Sequence, residues 1–287
     1  MGYSDVVTLL PLMAATPADY GPGKLSLTTV GNAAVSTAQS KFYGSSWLFG
    51  GSGDYLSMSS SRFELSAGFE MECWVRLTDL SAVRVLIFIG TIGSDNSRIQ
   101  LYVNTDGSVS LFGNTSAGAT VFWATTATGV VTAGTWFHIL GWRNGNDVGV
   151  AIDGAQVATA TASGTVGTAT GCHIGYGRTS GAHRYMYGHV NDVQVIAGDA
   201  VRTGTFTPPT RLVGQIAGTV TDNSVPVARK IFAVPREYAS RTWMTTSSSE
   251  DGSYSLWVPS GIDVSRVVCA DDTLPLRNDV VDRIVAA

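Results

Sequence analysis

Residues 135–157, TWFHILGWRNGNDVGVAIDGAQV, hold two alternating β-strands around one tight turn and run straight into a second turn at Asp153-Gly154. In the first strand Trp136, His138, Leu140 and Trp142 share one face, with Phe137 and Ile139 on the other; Val148, Val150 and Ile152 form one face of the second. Asn144-Gly145-Asn146 supplies residue types that tolerate positive φ. Consecutive hairpins with aromatic strands and no catalytic group predict a sheet-built binding module.

The rest of the chain agrees. Only 14% of its 287 residues are charged and 33 are glycine, the composition of many short strands joined by turns. Its length allows one large β-domain with a smaller companion, or one big sandwich. A net charge of −4 without a Lys/Arg run argues against a nucleic-acid partner. Cys73, Cys172 and Cys269 are far apart and odd in number, so they read as reduced thiols. The opening MGYSDVVTLLPLMAATPADYG lacks the basic and apolar regions of a secretory signal, and no apolar run is long enough to insert in a membrane. Folding in a cytoplasm is the expectation.

Strand-like pieces recur at Trp47–Phe49, Tyr55–Met58, Phe69–Leu77, Val83–Ile89, Arg98–Val103, Val109–Phe112 and Thr120–Ala124, with Asp106-Gly107 as a hairpin signal. Pro208 and Pro209 interrupt the pattern, because neither donates to a strand ladder. The boundary is therefore set near Leu212, giving domains 1–212 and 213–287. Short strands then resume at 215–221, 229–234, 241–247, 253–258 and 264–270. An all-β fold, a jelly-roll sandwich with a small second β-sandwich, is the prediction.

GSSWLFGGSGDYLSM, FEMECWVRL, the double hairpin and HIGYGRTSGAHRYMYGHVNDVQVIAGDAVRTGTFTPP resemble, in order and spacing, the concanavalin A-like jelly rolls of laminin-G and pentraxin type. The resemblance spans Val6 to Pro209. GQIAGTVTDNSVPVARKIFAVPRE and SSSEDGSYSLWVP are similar to small carboxypeptidase-regulatory-like or transthyretin/Ig-like sandwiches. The exit string AGDAVRTGTFTPPT and the closing DDTLPLRNDVVDRIV resemble pieces of bacteriophage virion proteins. Such a pairing implies a virion component of tail, fibre or head surface, assembled in the host cytoplasm.

Relatives of this shape include glycoside hydrolases, which need two carboxylates flanking the scissile bond. Glu70 and Glu72 share a strand face, but Trp74 stands where the glucanase pattern has a third carboxylate, so they read as solvent- or edge-facing residues. The four histidines, His138, His173, His183 and His189, lack chelating spacing, and no Gly-x-Ser-x-Gly elbow is present. No catalytic residue is assigned. Several family members bind calcium at one edge, which makes calcium a candidate cofactor and Asn191, Asp192 and Asp54 its candidate ligands, with Asp95 and Asn96 behind them. The same residues also read as turn formers. For glycan binding the candidates are Tyr176, Arg178, His183, Arg184, Tyr185 and Tyr187, taken as one loop, with Phe122 and Trp123 as a second exposed-aromatic pair. The alternative is that the tyrosines merely cover the end of the sandwich. The resulting expectation is a non-enzymatic virion protein, homo-oligomeric and adhering to a host-surface glycan. Its rivals are a capsid decoration protein without ligand recognition and a polysaccharide depolymerase.

Overall fold

The computed structural model describes the chain except residues 1–4, 66–67, 199, 201, 212, 223–224, 229, 236–243, 248, 260–262, 271–279 and 286–287. It divides into two units, Met1–Thr210 and Arg211–Ala287. The fold is all-β, and among the described residues helix is confined to short 3-10 turns such as Ser61–Phe63.

The larger unit stacks two antiparallel sheets. The eight-stranded sheet contains β1 (Val6–Leu10), β3 (Ala34–Ser36), β4 (Ser46–Gly50), β6 (Gly68–Leu77), β11 (Trp136–Asn144), β12 (Asp147–Ile152), β13 (Ala155–Thr161) and β17 (Tyr187–Ala197). Its order is β13-β12-β11-β6-β17-β4-β3, with β1 also on β17. The seven-stranded sheet contains β2 (Thr28–Val30), β5 (Tyr55–Ser59), β7 (Arg84–Ile89), β8 (Ile99–Val103), β9 (Val109–Asn114), β10 (Thr120–Thr125) and β14 (Gly171–Ile174). It runs β10-β9-β8-β7-β14-β5-β2. A separate hairpin joins β15 (Tyr176–Thr179) to β16 (Ala182–Tyr185).

The period-2 alternation read from the sequence builds the core. Phe69, Met71, Cys73, Val75 and Leu77 of β6 meet Leu101, Val103 and Leu111 of the opposite sheet in one buried cluster. The turns form where the residues demand them. Asp153 and Gly154 both adopt positive φ, +49° and +81°, the pair of left-handed conformations required by a two-residue hairpin that follows strand twist. Asp153 Oδ1 accepts the His138 N–H at 2.8 Å, and the Asp153 N–H returns to the His138 carbonyl at 2.9 Å.

The outer face of the eight-stranded sheet is also covered. After β17 the chain returns lengthwise across β6 and β11: Ala200 packs with Leu140, Trp142 and Ala151, Phe206 lies edge-on to His138, and Trp74 Nε1 donates to the Pro209 carbonyl at 3.1 Å. This covering segment explains why β6 is buried on both faces.

In the smaller unit β18 (Val213–Thr219) pairs with β23 (Ser253–Pro259), and β19 (Thr221–Asp222) with β20 (Val225–Pro226). A four-stranded sheet orders β22 (Met244–Ser247), β21 (Lys230–Pro235), β24 (Asp263–Ala270) and β25 (Val280–Val285). Val213, Ile216, Ile231, Leu256 and Val258 are its buried apolar side chains among those described. The side chain of Cys269 and residues 241–243 of the expected 241–247 strand lie outside the described residues.

Candidate functional site

The sequence-level pair Glu70 and Glu72 is not solvent-facing. Both carboxylates are buried, because Arg202 of the covering segment reaches between them. Its Nε donates to Glu70 Oε2 at 2.7 Å, its Nη2 donates to both glutamates, with Glu72 Oε1 at 2.8 Å, and its backbone N–H reaches Glu70 Oε1 at 2.9 Å. Glu72 Oε2 also lies 2.7 Å from His138 Nε2. Burial works to raise the Glu72 carboxyl; the His138 hydrogen bond and the Arg202 charge outweigh it and hold its pKa down to about 2. Arg202, desolvated but facing two carboxylates, is held above the ordinary arginine range. Glu72, held low, is no general acid, and the covered, ion-paired carboxylates leave no room for a sugar beside them.

The calcium candidates are engaged by other groups of the protein. Asp54 accepts the N–H groups of Asn32 and Gly50, at 2.6 and 2.8 Å, and so clamps two loops. Asn191 accepts the Lys41 N–H and donates to the carbonyls of Pro11, Leu12 and Ser45, while Asp192 Oδ1 accepts the Tyr43 hydroxyl at 2.7 Å. Among the described residues no three His, Cys, Asp or Glu side chains gather around one point.

The glycan candidates converge on one surface, the outer face of the seven-stranded sheet. A register shift between Thr120 and Phe122 turns both Val121 and Phe122 inward, so the expected exposed pair splits: Phe122 is core, and Trp123 stands 58% exposed. Strand pairing sets Trp123 opposite Phe112, Phe112 opposite Gln100, Gln100 opposite Phe88, and Phe88 opposite His173. These residues form one row across five strands. The next row is polar: Thr125 faces Ser110, and Ser110 faces Tyr102. Ser110 Oγ is 2.8 Å from Thr125 Oγ1 and accepts Asn104 Nδ2 at 3.0 Å. Trp123 meets Phe112 edge-on at 5.7 Å, which props the indole from below.

The segment expected as a loop is the β15–β16 hairpin, lying over the same face. Tyr176 is buried and displays nothing: it packs on Phe88, His173 and Tyr55, and its hydroxyl accepts the Gly93 N–H at 3.2 Å and lies 2.9 Å from His183 Nδ1. Arg178 is spent on Asp95 at 3.1 Å, and its N–H is accepted by Gln100 Oε1 at 3.1 Å. Asp95 also takes Arg98 at 2.6 Å, and the Arg98 guanidinium lies 5.0 Å from the centre of the Phe112 ring. Burial raises the Asp95 carboxyl, and the two arginines pull it below the usual range. His183 and Tyr185 stack at 6.5 Å, and Arg184 Nε donates to Thr179 Oγ1 at 2.8 Å. Tyr187 lies apart on β17 beneath the Arg84 guanidinium, 5.6 Å from its ring centre. Phe112, Arg98 and Gln100 are the members that sequence reasoning missed, although Gln100 and Phe112 fall on the outward register of strands it did recognise.

A sequence model of the laminin-G type, described as the concanavalin A-like lectin/glucanases superfamily, matches residues 49–200, just over half of the chain. No curated protein matches in sequence. Among solved structures, domain 4 of an extracellular arabinanase from Geobacillus stearothermophilus, in complex with arabinotriose, superposes with a TM-score of 0.52 at 13% identity, over 69% of this chain and 95% of that one. The binding domain of botulinum neurotoxin DC, in complex with SialylT, gives 0.55 at 8% identity over 95% and 73%. At such identities these likenesses concern the fold.

Proposed function

The chain belongs to the concanavalin A-like lectin/glucanase superfamily, and from that premise we propose that it is a non-enzymatic glycan-binding component of a bacteriophage virion. One observation carries the glycan reading: the indole of Trp123, exposed on the outer sheet face, propped by Phe112 and bordered by the exposed Thr125, whose hydroxyl is braced by the buried Ser110. A broad aromatic face accepts the C–H side of a sugar ring, and fixed hydroxyl and amide groups beside it hydrogen-bond the ring's edge. The arabinotriose and SialylT complexes of the two neighbours are consistent with saccharide binding on such a scaffold. The covered Glu70–Arg202–Glu72 cluster supports the non-enzymatic half.

The virion assignment rests on the resemblance of the exit segment and of the C-terminal strands to phage structural proteins. Assembly with other virion proteins and with further copies of this chain fits β13, an exposed edge strand, AQVATAT, without a charge or proline to block pairing. A glycan microarray probed with the whole chain and with Trp123→Ala tests the binding reading. Loss of binding with unchanged thermal stability is the expected result, and full retention refutes it. Proteomic analysis of purified particles tests the second half, which fails if the chain is absent from them.

A further inference from the structure

We infer that the saccharide recognised by this face is acidic, its anionic group held by Arg184 while the sugar chain extends onto Trp123; this rests on the glycan-binding reading above. Gly177 and Arg184 are cross-strand partners, so their side-chain positions lie on the same face of the β15–β16 hairpin. A Cβ placed on Gly177 would meet Val85 Cγ1 at 2.6 Å and Gln100 Oε1 at 2.7 Å. That hairpin face therefore looks down on β7 and β8, of which β8 adjoins the strand of Phe112.

Arg184 stands out there by what it lacks. Arg98 and Arg178 share Asp95, and Arg84 has Asp79, whereas Arg184 has a hydroxyl partner, Thr179, and no carboxylate among the described residues. The Thr179 bond uses Nε and fixes the plane of the guanidinium, leaving its two terminal nitrogens to make the paired bonds that suit a carboxylate, sulfate or phosphate. Residues 90–98 and 176–185 together carry three arginines against the single carboxylate of Asp95, on a chain whose net charge is −4. The local sign is opposite to that of the whole molecule, and a positive patch beside an aromatic platform selects an anionic ring over a neutral one.

The spacing suits an oligosaccharide. Trp123 is two strands from β8 and three from β7, about 10–14 Å at the usual strand separation, a span that a short saccharide chain covers from Trp123 to the strands beneath the hairpin of Arg184. Stacking and charge recognition then fall on different residues of one ligand.

The test uses the full chain on an array of neutral and acidic glycans, with polygalacturonate and its methyl ester as a matched soluble pair. The variants are Arg184→Gln and Arg184→Lys, with Trp123→Ala as a control for the face itself. The expected result is that bound glycans carry carboxylate, sulfate or phosphate groups. Arg184→Gln then weakens them about tenfold or more, Arg184→Lys recovers part of the loss, and added salt weakens the wild type more than Arg184→Gln. Binding of neutral glycans through Trp123, indifferent to Arg184→Gln, overturns the acidic assignment and leaves the glycan reading standing. Absence of any glycan binding by the wild type overturns the reading itself and this inference with it.

Discussion

Replacing Arg202 by alanine removes the guanidinium that bonds both buried carboxylates, Glu70 and Glu72. Both carboxylates are almost fully buried, while Arg202 keeps 22% of its side-chain surface. Removing one partner of a buried pair costs about 3–5 kcal/mol, and the partial exposure of Arg202 places this case near the lower end. Linkage sets an upper bound of the same size. The Glu72 carboxyl falls from 4.5 to about 2 through the His138 hydrogen bond and Arg202 together, which corresponds to roughly 3 kcal/mol of stabilisation at neutral pH, of which Arg202 supplies part. Because the folded pKa is the lower one, this stability is fully present above about pH 4.5 and is lost as pH falls toward 2. Urea unfolding of the larger unit, followed by tryptophan fluorescence at pH 7, is therefore expected to show Arg202→Ala less stable by about 3 kcal/mol. Thermal unfolding should shift down by about 6–12 °C. At pH 3 the difference should shrink, and the combined Glu70→Gln, Glu72→Gln, Arg202→Met variant should recover much of the loss at pH 7. A loss below about 1 kcal/mol at pH 7, or one that does not change with pH, refutes the clamp as the device that holds the covering segment down.

Two further changes probe the same unit. Gly154→Ala places a methyl group onto the Phe206 carbonyl and forces a side chain into φ +81°, so a loss of about 2 kcal/mol or more is expected in chemical denaturation, against a few tenths if the turn relaxes freely. Burial lowers the His173 pKa to about 4 against a Gly90 hydrogen bond that works to raise it, so the unfolded chain takes up that proton first and stability falls as pH drops from about 6.5 to 4. His173→Phe, which keeps the ring against Phe88 and Tyr176, should flatten that part of the stability profile; an unchanged slope would assign it to other groups.

Local chemistry was readable from the chain, and long-range contacts were not. Alternation in FEMECWVRL and the positive-φ residue types at Asp153-Gly154 dictate strand faces and turns within a few residues, and the structure follows them. Val6–Leu10 is a buried strand that the reading of the N-terminus passed over, since its partner Val193–Ile196 is nearly the whole domain away. The bulge at Val121 explains why Phe122 and Trp123 could not be told apart: a one-residue shift decides which of two adjacent aromatics is core. Arg202 lies 130 residues from Glu72, and no spacing rule connects them. Tyr176 reads as a sugar-stacking residue by type alone, and only its ring contacts and its bonded hydroxyl show that it supports the hairpin from below.

The two outer faces of the sandwich are finished differently, and that difference locates the site. Each sheet presents aromatics outward: Trp74, Trp142 and His138 on one, Trp123, Phe112, Phe88 and His173 on the other. Left bare, either would be an apolar patch of the kind that soluble proteins cover or use. The segment that follows β17 covers His138 and Trp142, joins Phe42 and Lys41 over Trp74, and pins itself with Arg202, at the expense of burying two carboxylates that must then be paired. The β15–β16 hairpin covers only the Phe88 and His173 part of the second, and it does so with a basic, hydroxyl-rich ribbon instead of an apolar one. Trp123 is the portion left uncovered, at the edge strand and next to hydrogen-bonding groups that already hold fixed orientations. Preorganised polar groups beside an uncovered aromatic lower the entropy lost when a flexible saccharide docks, so the sealed sheet serves as the scaffold and the half-covered sheet as the binding surface.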